Sequence, residues 1–203
     1  MWFSKLIVNV NRANVKLAAS LTCPYEAHRT LSMAFPDIAQ GGMDRVLFRI
    51  GEPKNGQCEI LVQSEQNPDW SKLPKDGLLF CAVKEFNPSF RSGQMLRFSI
   101  KANTVRSIKD EITGKNKRIG LVKEDEQMEW LKFKASVGGF EVVSAAVTDS
   151  AKWYNFQKRA VHQVADFSGV IRITDPERFR QTIRHGIGHS KGFGLGMLLV
   201  AAA

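Results

Sequence analysis

Residues 185–199 read HGIGHSKGFGLGMLL, and five of the chain's sixteen glycines fall between Gly186 and Gly196. Glycine lacks a Cβ, so such a stretch can turn through positive φ and let another backbone or a ligand come close. It opens where a helical pattern ends and closes in an apolar strand pattern at 197–200. It is therefore a shaped loop between ordered elements rather than a flexible tail. Spacing excludes two phosphate-binding loops. A P-loop needs Gly-Lys followed by Ser or Thr, whereas Lys191 precedes Gly192 and Phe193 follows. The dinucleotide fingerprint needs a glycine where Lys191 stands, and too little chain remains for a βαβ unit. No nucleotide cofactor is implied. Two readings stay open: a loop offering His189, Ser190 and Lys191 to an extended polyanion, or a tight connection between helix and strand.

The chain's 203 residues suffice for one large domain or two small ones, and 43% of them are apolar, enough for a core. The formal charge of +9 favours a polyanionic partner, either nucleic acid or an anionic membrane. The membrane is the weaker choice, because no amphipathic helix with a basic face is evident. The three cysteines, Cys23, Cys58 and Cys81, form no CxxC pair and read as buried, reduced thiols of a cytoplasmic protein. No run is apolar enough to span a bilayer. Lys5 and Asn9 interrupt the first ten residues, which do not read as a signal peptide.

Along the chain, residues 2–10 predict a buried strand around Leu6, Ile7 and Val8. Residues 22–35 predict a helix with Pro24 near its start and Pro36 ending it. Ala27, Leu31, Ala34 and Phe35 fall on one side of this helix, and Tyr25, His28, Arg29 and Ser32 on the other. Strands follow at 45–50 and 58–64 around an Asn55-Gly56 turn, then a helical turn within 67–73 and a strand at 78–86. Residues 88–93 read as a linker. Residues 95–108 alternate as one long strand, with Leu96, Phe98, Ile100 and Ala102 inward, and 109–118 form a basic, turn-rich loop. A helix at 124–135, strands at 140–148 and 161–174, and a basic aromatic connection at 152–159 come next. Thr174 and Glu177 form a capping box for a third helix that buries Phe179 and Ile183. Each half runs β-α-β-β-α-β, the ferredoxin-like order. The division is into domains 1–88 and 94–203.

Of the four histidines, His185 and His189 have the spacing of a helical zinc pair, but Gly186 and Gly188 intervene and no Glu completes HExxH. No metal site is assigned there. His162 lies in a strand and reads as structural. His28 sits on a polar helix face with Tyr25 one turn earlier and Arg29 alongside. Such a face can serve RNA cleavage without a metal. The 2′-OH attacks its own phosphate, leaving a 2′,3′-cyclic phosphate and a 5′-hydroxyl. That requires in-line geometry, a base, an acid and cations. Imidazole suits either proton role.

The chain resembles the CasE family, the CRISPR repeat-processing endoribonucleases of the type I-E Cascade complex. The resemblance covers nearly the whole length. It is carried by SKLIVNV at the start, Pro24-Tyr25-Glu26-Ala27-His28-Arg29, RVLFRI with LVQS, LRFSIKANTVRSI, GLVKEDEQMEWL, DFSGVIRIT and the GIGHSKGFGLGMLL ending. It implies an α+β protein of two tandem ferredoxin-like (RRM-like, RAMP) domains with antiparallel sheets. It further implies metal-independent cleavage of a repeat stem-loop in precursor crRNA, with no cofactor. The product would be kept as the guide RNA's 3′ handle, and other Cascade subunits would be partners. His28 falls on the family's catalytic histidine and Tyr25 on its partner tyrosine. One departure is Cys23, where relatives often carry a capping Asp. Arg29, Lys115, Lys117, Arg118, Lys158, Arg159, Gly188 and Lys191 are the expected RNA-binding residues, the basic ones assigned from charge. The alternative is a non-catalytic RNA-binding subunit of a CRISPR ribonucleoprotein.

Overall fold

The computed structural model describes residues 1–10, 17, 20, 24–35, 46–109, 114–155 and 160–203, without the side chains of residues 24, 25 and 155. The chain divides into two compact units, Met1–Pro88 with Lys191–Leu195, and Ser89–Ser190 with Gly196–Ala203. Division by sequence places residues 191–195 in the second half. They group instead with the first, because their short turn packs onto its helix and second strand.

The first unit runs β1 (Trp2–Asn9), α1 (Pro24–Ser32), β2 (Leu47–Ile50), β3 (Gln57–Ser64), a 3-10 turn (Trp70–Lys72) and β4 (Leu78–Glu85). Its sheet has the order β2-β3-β1-β4, with every pair antiparallel. That is the ferredoxin-like arrangement, with the 3-10 turn standing where the pattern has its second helix. Alternation in β1 decides which side is core: Ser4, Leu6 and Val8 are buried while Lys5 is exposed. Ala27, Leu31, Ala34 and Phe35 of the α1 region are buried, as their helical spacing predicts. They join Leu6, Val8, Phe48, Ile60, Val62 and Trp70 in one core. The buried Trp70 indole N–H donates to Ser4 Oγ at 3.0 Å. Asn55 and Gly56 both take positive φ, 51° and 73°, which suits a two-residue hairpin turn between β2 and β3.

The second unit runs β5 (Met95–Asn103), β6 (Val105–Lys109), β7 (Asn116–Gly120), α2 (Glu124–Val137), β8 (Phe140–Asn155), β9 (Ala160–Ile173), α3 (Pro176–His185) and β10 (Leu198–Ala202). Its main sheet has the order β10-β5-β9-β8, again all antiparallel and ferredoxin-like. Both units are thus α+β. Among the described residues, no helix is long and apolar enough to cross a membrane.

Three expectations change. The strand predicted over 95–108 breaks at Thr104, which is fully buried. Its N–H donates to Gln163 O at 2.8 Å, and its carbonyl accepts from Leu121 N–H at 2.9 Å. The chain thereby leaves the main sheet, and β6 pairs with β7 in a separate two-stranded arm. Of the basic loop predicted over 109–118, Lys109 lies in β6 and Asn116, Lys117 and Arg118 lie in β7, while residues 110–113 lie outside the described residues. Likewise, Lys152, Trp153 and Tyr154 belong to an extended β8 rather than to a connection. Finally, the α3 cap is Asp175 rather than Thr174. One Asp175 carboxylate oxygen accepts from both Glu177 and Arg178 N–H at 3.1 Å, with Pro176 in the first turn.

Lys101 and Asp166 face each other across β5 and β9 at 3.0 Å, nearly buried, and Lys101 also lies over the Trp153 ring. The β8–β9 pairing itself leaves no room for a side chain at Gly169. A Cβ there would stand 2.0 Å from the Ser144 carbonyl oxygen. Gly169→Ala should therefore lower stability by about 3 kcal/mol or more, the upper range of overpacking costs. The comparison is Gly93→Ala, where the added Cβ meets nothing within 4 Å and only the strain of a φ of 79° remains, about 1–2 kcal/mol. Comparing the two thermal midpoints tests this, and equal midpoints would contradict it.

Candidate active site

α1 begins with Pro24, whose missing N–H costs nothing in a first helical turn. It finishes by tightening: the N–H groups of Met33, Ala34 and Phe35 donate to the carbonyls three residues back. Between these ends its apolar stripe is buried, His28 is half-buried at the edge of that stripe, and Arg29 is exposed. Tyr25 stands one turn before His28 along the helix backbone. Ser32 Oγ donates to the His28 carbonyl at 2.7 Å. Arg29 Nη1 reaches Glu26 Oε2 only at 4.0 Å, and an exposed pair of that kind contributes little stability.

Among the described residues of its own unit, Phe48 and the 191–193 turn border the His28 ring. Phe48 of β2, itself buried, lies with its ring centroid 6.3 Å away and tilted by 52°. The 3-10 turn Lys191–Phe193 packs on α1 and β2. Gly192 belongs to that turn, and a Cβ there would sit 3.4 Å from His28 Cδ2. Burial pushes the His28 pKa below its ordinary 6.5, because desolvation penalises the charged ring. Near pH 7 the imidazole is therefore neutral, with one nitrogen accepting and the other donating. A neutral imidazole can accept a proton from a hydroxyl and return it to a leaving oxygen.

In the second unit, the start of the glycine-rich segment is held by side chains. Asn103 Nδ2 donates to Ser190 Oγ at 2.9 Å, and His162 Nδ1 lies 3.0 Å from the same hydroxyl. Asn103 Oδ1 accepts from Gln163 N–H at 3.1 Å, which fixes the amide's orientation. His162 is thus structural, as its strand position predicts, and burial lowers its pKa as well. Gly188 has φ of 78°, and a Cβ there would come within 3.1 Å of Trp130. Packing alone therefore accounts for glycine at this position.

The β6–β7 arm carries Arg106 and Lys109 on one strand, and Lys117 and Arg118 on the other, with Lys115 just before β7; all are exposed. Pairing of Ser107 with Arg118 and of Ile108 with Lys117 puts Lys117 and Arg118 on opposite faces of the arm. Charge alone groups them as one cluster; the strand separates them. Arg106 Nη1 lies 3.6 Å from Glu126 Oε1. Lys158 and Arg159 lie outside the described residues. Sequence reasoning misses Phe48 and Gly192 as neighbours of His28. Phe48 reads in sequence only as a strand residue, and Gly192 only as one glycine among five. Gly192 and His28 meet across more than a hundred positions of chain.

Fold and site together define an α+β protein of tandem ferredoxin-like units, the first carrying a half-buried imidazole and the second an exposed basic β-arm. The family described as CRISPR associated protein matches residues 1–202. The CRISPR-associated endoribonuclease Cse3 of Thermus thermophilus is 31% identical over 220 residues, covering 99% of this chain and 100% of that relative. The CRISPR system Cascade subunit CasE of Escherichia coli is 26% identical over 186 residues, covering 87% of this chain and 91% of that one. Thermus thermophilus Cse3 bound to an RNA representing a pre-cleavage complex superposes with a TM-score of 0.87 at 31% identity over 98% of each chain. The chain belongs to the CRISPR associated protein family and is of the CasE/Cse3 type.

An NMR titration of the His28 ring should give a midpoint below 6.5, the ordinary value. The sign for stability follows. Above 6.5 the ring is neutral in both folded and unfolded chains and contributes no pH dependence. As the pH falls below 6.5, the unfolded chain binds the proton first and stability declines, levelling off below the folded pKa. A folded-state midpoint at or above 6.5 would contradict the buried setting.

Proposed function

We propose that this chain is a metal-independent endoribonuclease. It cleaves CRISPR repeat stem-loops in precursor crRNA and retains the product as a subunit of a Cascade complex in the cytoplasm. The observation that carries the reading is the half-buried, neutral His28 against a glycine-rich turn, in a chain that aligns end to end with a named CRISPR-associated endoribonuclease. The partners follow from the relatives' names: CRISPR RNA, and the other subunits of Cascade.

In this reading the 2′-OH at the cut site attacks the adjacent phosphorus in line with the departing 5′ oxygen. The O2′–P bond forms, the P–O5′ bond breaks, and a 2′,3′-cyclic phosphate and a 5′-hydroxyl result. One proton leaves the 2′ oxygen and one reaches the 5′ oxygen. His28 serves one of these transfers and Tyr25, on the preceding helical turn, the other. The first domain, 1–88, supplies this helix. The second, 94–203, supplies Lys115, Lys117 and Arg118 on the basic arm, together with Lys158 and Arg159, for phosphates. The glycine-rich segment adds Lys191, in the turn beside His28, and Gly188, which contributes through its backbone. Exposed Arg29 adds a cation on α1.

His28→Ala should slow single-turnover cleavage of a repeat stem-loop RNA by about 10²-fold or more, the usual worth of a positioned proton-transfer group. Affinity for that RNA should hold, because phosphate contacts elsewhere supply most of it. An RNA with a single 2′-deoxy substitution at the cut site should stay intact, while chelator-treated enzyme should still cut the all-ribose RNA. Cleavage of the deoxy substrate would overturn the mechanism. Full activity of His28→Ala would leave only an RNA-binding role for the helix. Lys117→Ala and Arg118→Ala should each reduce the slope of log affinity against log salt by about 1. An unchanged slope in both variants would remove the arm from the RNA contact.

A further inference from the structure

The β8–β9 ribbon runs on past its sheet. Pairing of β5 with β9 stops at Asn103 and Val164, whereas β8 and β9 stay paired out to Asn155 and Ala160. Residues 152–155 and 160–163 therefore form a two-stranded extension whose side chains alternate between two faces. One face carries Trp153 directly across from His162. Both are engaged within the unit: Lys101 Nζ lies 5.3 Å from the centroid of the Trp153 ring, and His162 Nδ1 lies 3.0 Å from Ser190 Oγ. The opposite face carries Lys152 across from Gln163, and Tyr154 across from Val161. Gln163 is buried, but Tyr154 is 61% exposed, Val161 is 56% exposed, and Lys152 is exposed as well. An aromatic ring and a branched aliphatic side chain thus lie open to solvent beside a lysine.

This open face adjoins the root of the basic arm. A Cβ at Gly120, the last residue of β7, would come 2.7 Å from Gln163 Cβ. The root of the arm therefore rests on the same face of the ribbon that carries Tyr154. Val161, which Tyr154 opposes, is two residues along β9 from Gln163, a distance of about 7 Å. Arg118, two residues before Gly120, shares its face of the arm, and Lys109 lies on that face across from Asn116. Arm and ribbon thus form a corner, with exposed Arg118 and Lys109 on one wall and Tyr154, Val161 and Lys152 on the other. The described residues of the arm and the extension include no carboxylate.

Cations beside an open aromatic ring suit a single-stranded stretch of nucleic acid: the cations take phosphates, and the ring takes the face of a base. Bases inside a stem are stacked on one another and offer only their edges, whereas an unpaired base has a face to give. We infer that Tyr154 is a base-stacking residue of the RNA interface, receiving an unpaired base beside the stem whose phosphates the arm holds. Lys152, on the same strand face, meets the phosphate of that nucleotide or its neighbour. The assignment rests on the proposed RNA contact of the arm and adds to it a contact with a base. A protein partner with an apolar surface is the competing occupant, and the experiment separates the two.

The test uses the full chain, with Tyr154→Phe, Tyr154→Leu and Lys117→Ala beside the parent. Phenylalanine keeps the flat ring; leucine keeps an apolar contact with Val161 but has no face for a base. Three quantities are read: the thermal midpoint, Kd for the repeat stem-loop RNA across a salt series, and the fluorescence of 2-aminopurine placed in turn at each unpaired position beside the stem. Tyr154→Phe should bind with the parent's Kd. Tyr154→Leu should melt with the parent yet bind about fivefold or more weakly, the worth of one base–aromatic stack. Its salt slope should match the parent's, because no phosphate contact is lost, whereas Lys117→Ala should lower the slope. At one position the probe should be quenched by the parent and by Tyr154→Phe but not by Tyr154→Leu. The inference is overturned if Tyr154→Leu binds as tightly as the parent, as it would were the face kept for a protein. It is equally overturned if Tyr154→Phe binds as weakly as Tyr154→Leu, if Tyr154→Leu melts early, or if no probe position responds to loss of the ring. A parent that fails to bind the RNA sinks the proposed function and this inference together; a parent that binds, with only Tyr154→Leu unchanged, sinks this inference alone.

Discussion

The glycine-rich segment is closed at its base by backbone alone. Ile187 N–H donates to Gly196 O at 2.8 Å, and Gly196 N–H donates to Lys101 O at 2.7 Å. A side chain at Gly196 would crowd the Ile187 carbonyl beside the first of these bonds. This clasp ties both ends of the segment to strand β5 and commits everything between them to a compact excursion. On one end of the excursion Ser190 is anchored by Asn103 and His162, holding φ of 64° that serine ordinarily avoids. Beyond it, residues 191–195 associate with the first unit. The candidate site depends on that arrangement, because the turn beside His28 comes from the far end of the sequence.

Within the first unit, the chemistry of His28 follows from its place on the helix. A residue wholly on the solvent side of α1 would keep an ordinary imidazole pKa; one on the buried stripe would be sealed in the core. His28 lies at the boundary, against Phe48 and Gly192, where desolvation favours the neutral ring while one edge stays reachable. The second unit contributes a different kind of surface. Its β6–β7 arm leaves the main sheet at Thr104 and carries its cations on both faces. A two-faced basic ribbon suits a partner that presents charge on more than one side, as a folded polyanion does.

Much of the fold was legible from local pattern. The alternation of Leu96, Phe98, Ile100 and Ala102 and the helical spacing of Ala27, Leu31, Ala34 and Phe35 each named buried faces that the structure keeps. The Asn55-Gly56 turn was equally plain, because few dipeptides tolerate two positive φ values in succession. The failures share a cause. Thr104 ends β5 through hydrogen bonds to Gln163 and Leu121, partners set by the sheet and invisible in a run of alternating residues. The extension of β8 through Lys152, Trp153 and Tyr154 likewise depends on its pairing with β9. Asp175 displaced Thr174 as the cap because one carboxylate oxygen reaches two backbone donors.

For the candidate site the division is similar. Sequence by itself determined the two ferredoxin-like element orders, the helix bearing His28 and the presence of a constrained glycine loop, since each is written in short-range periodicity and residue type. Only the tertiary structure decided that Gly192 and Phe48 flank the imidazole, that the ring is desolvated and neutral, and that Lys117 and Arg118 face apart. Those facts depend on which distant segments touch and on strand register, and neither is encoded in any window of neighbouring residues.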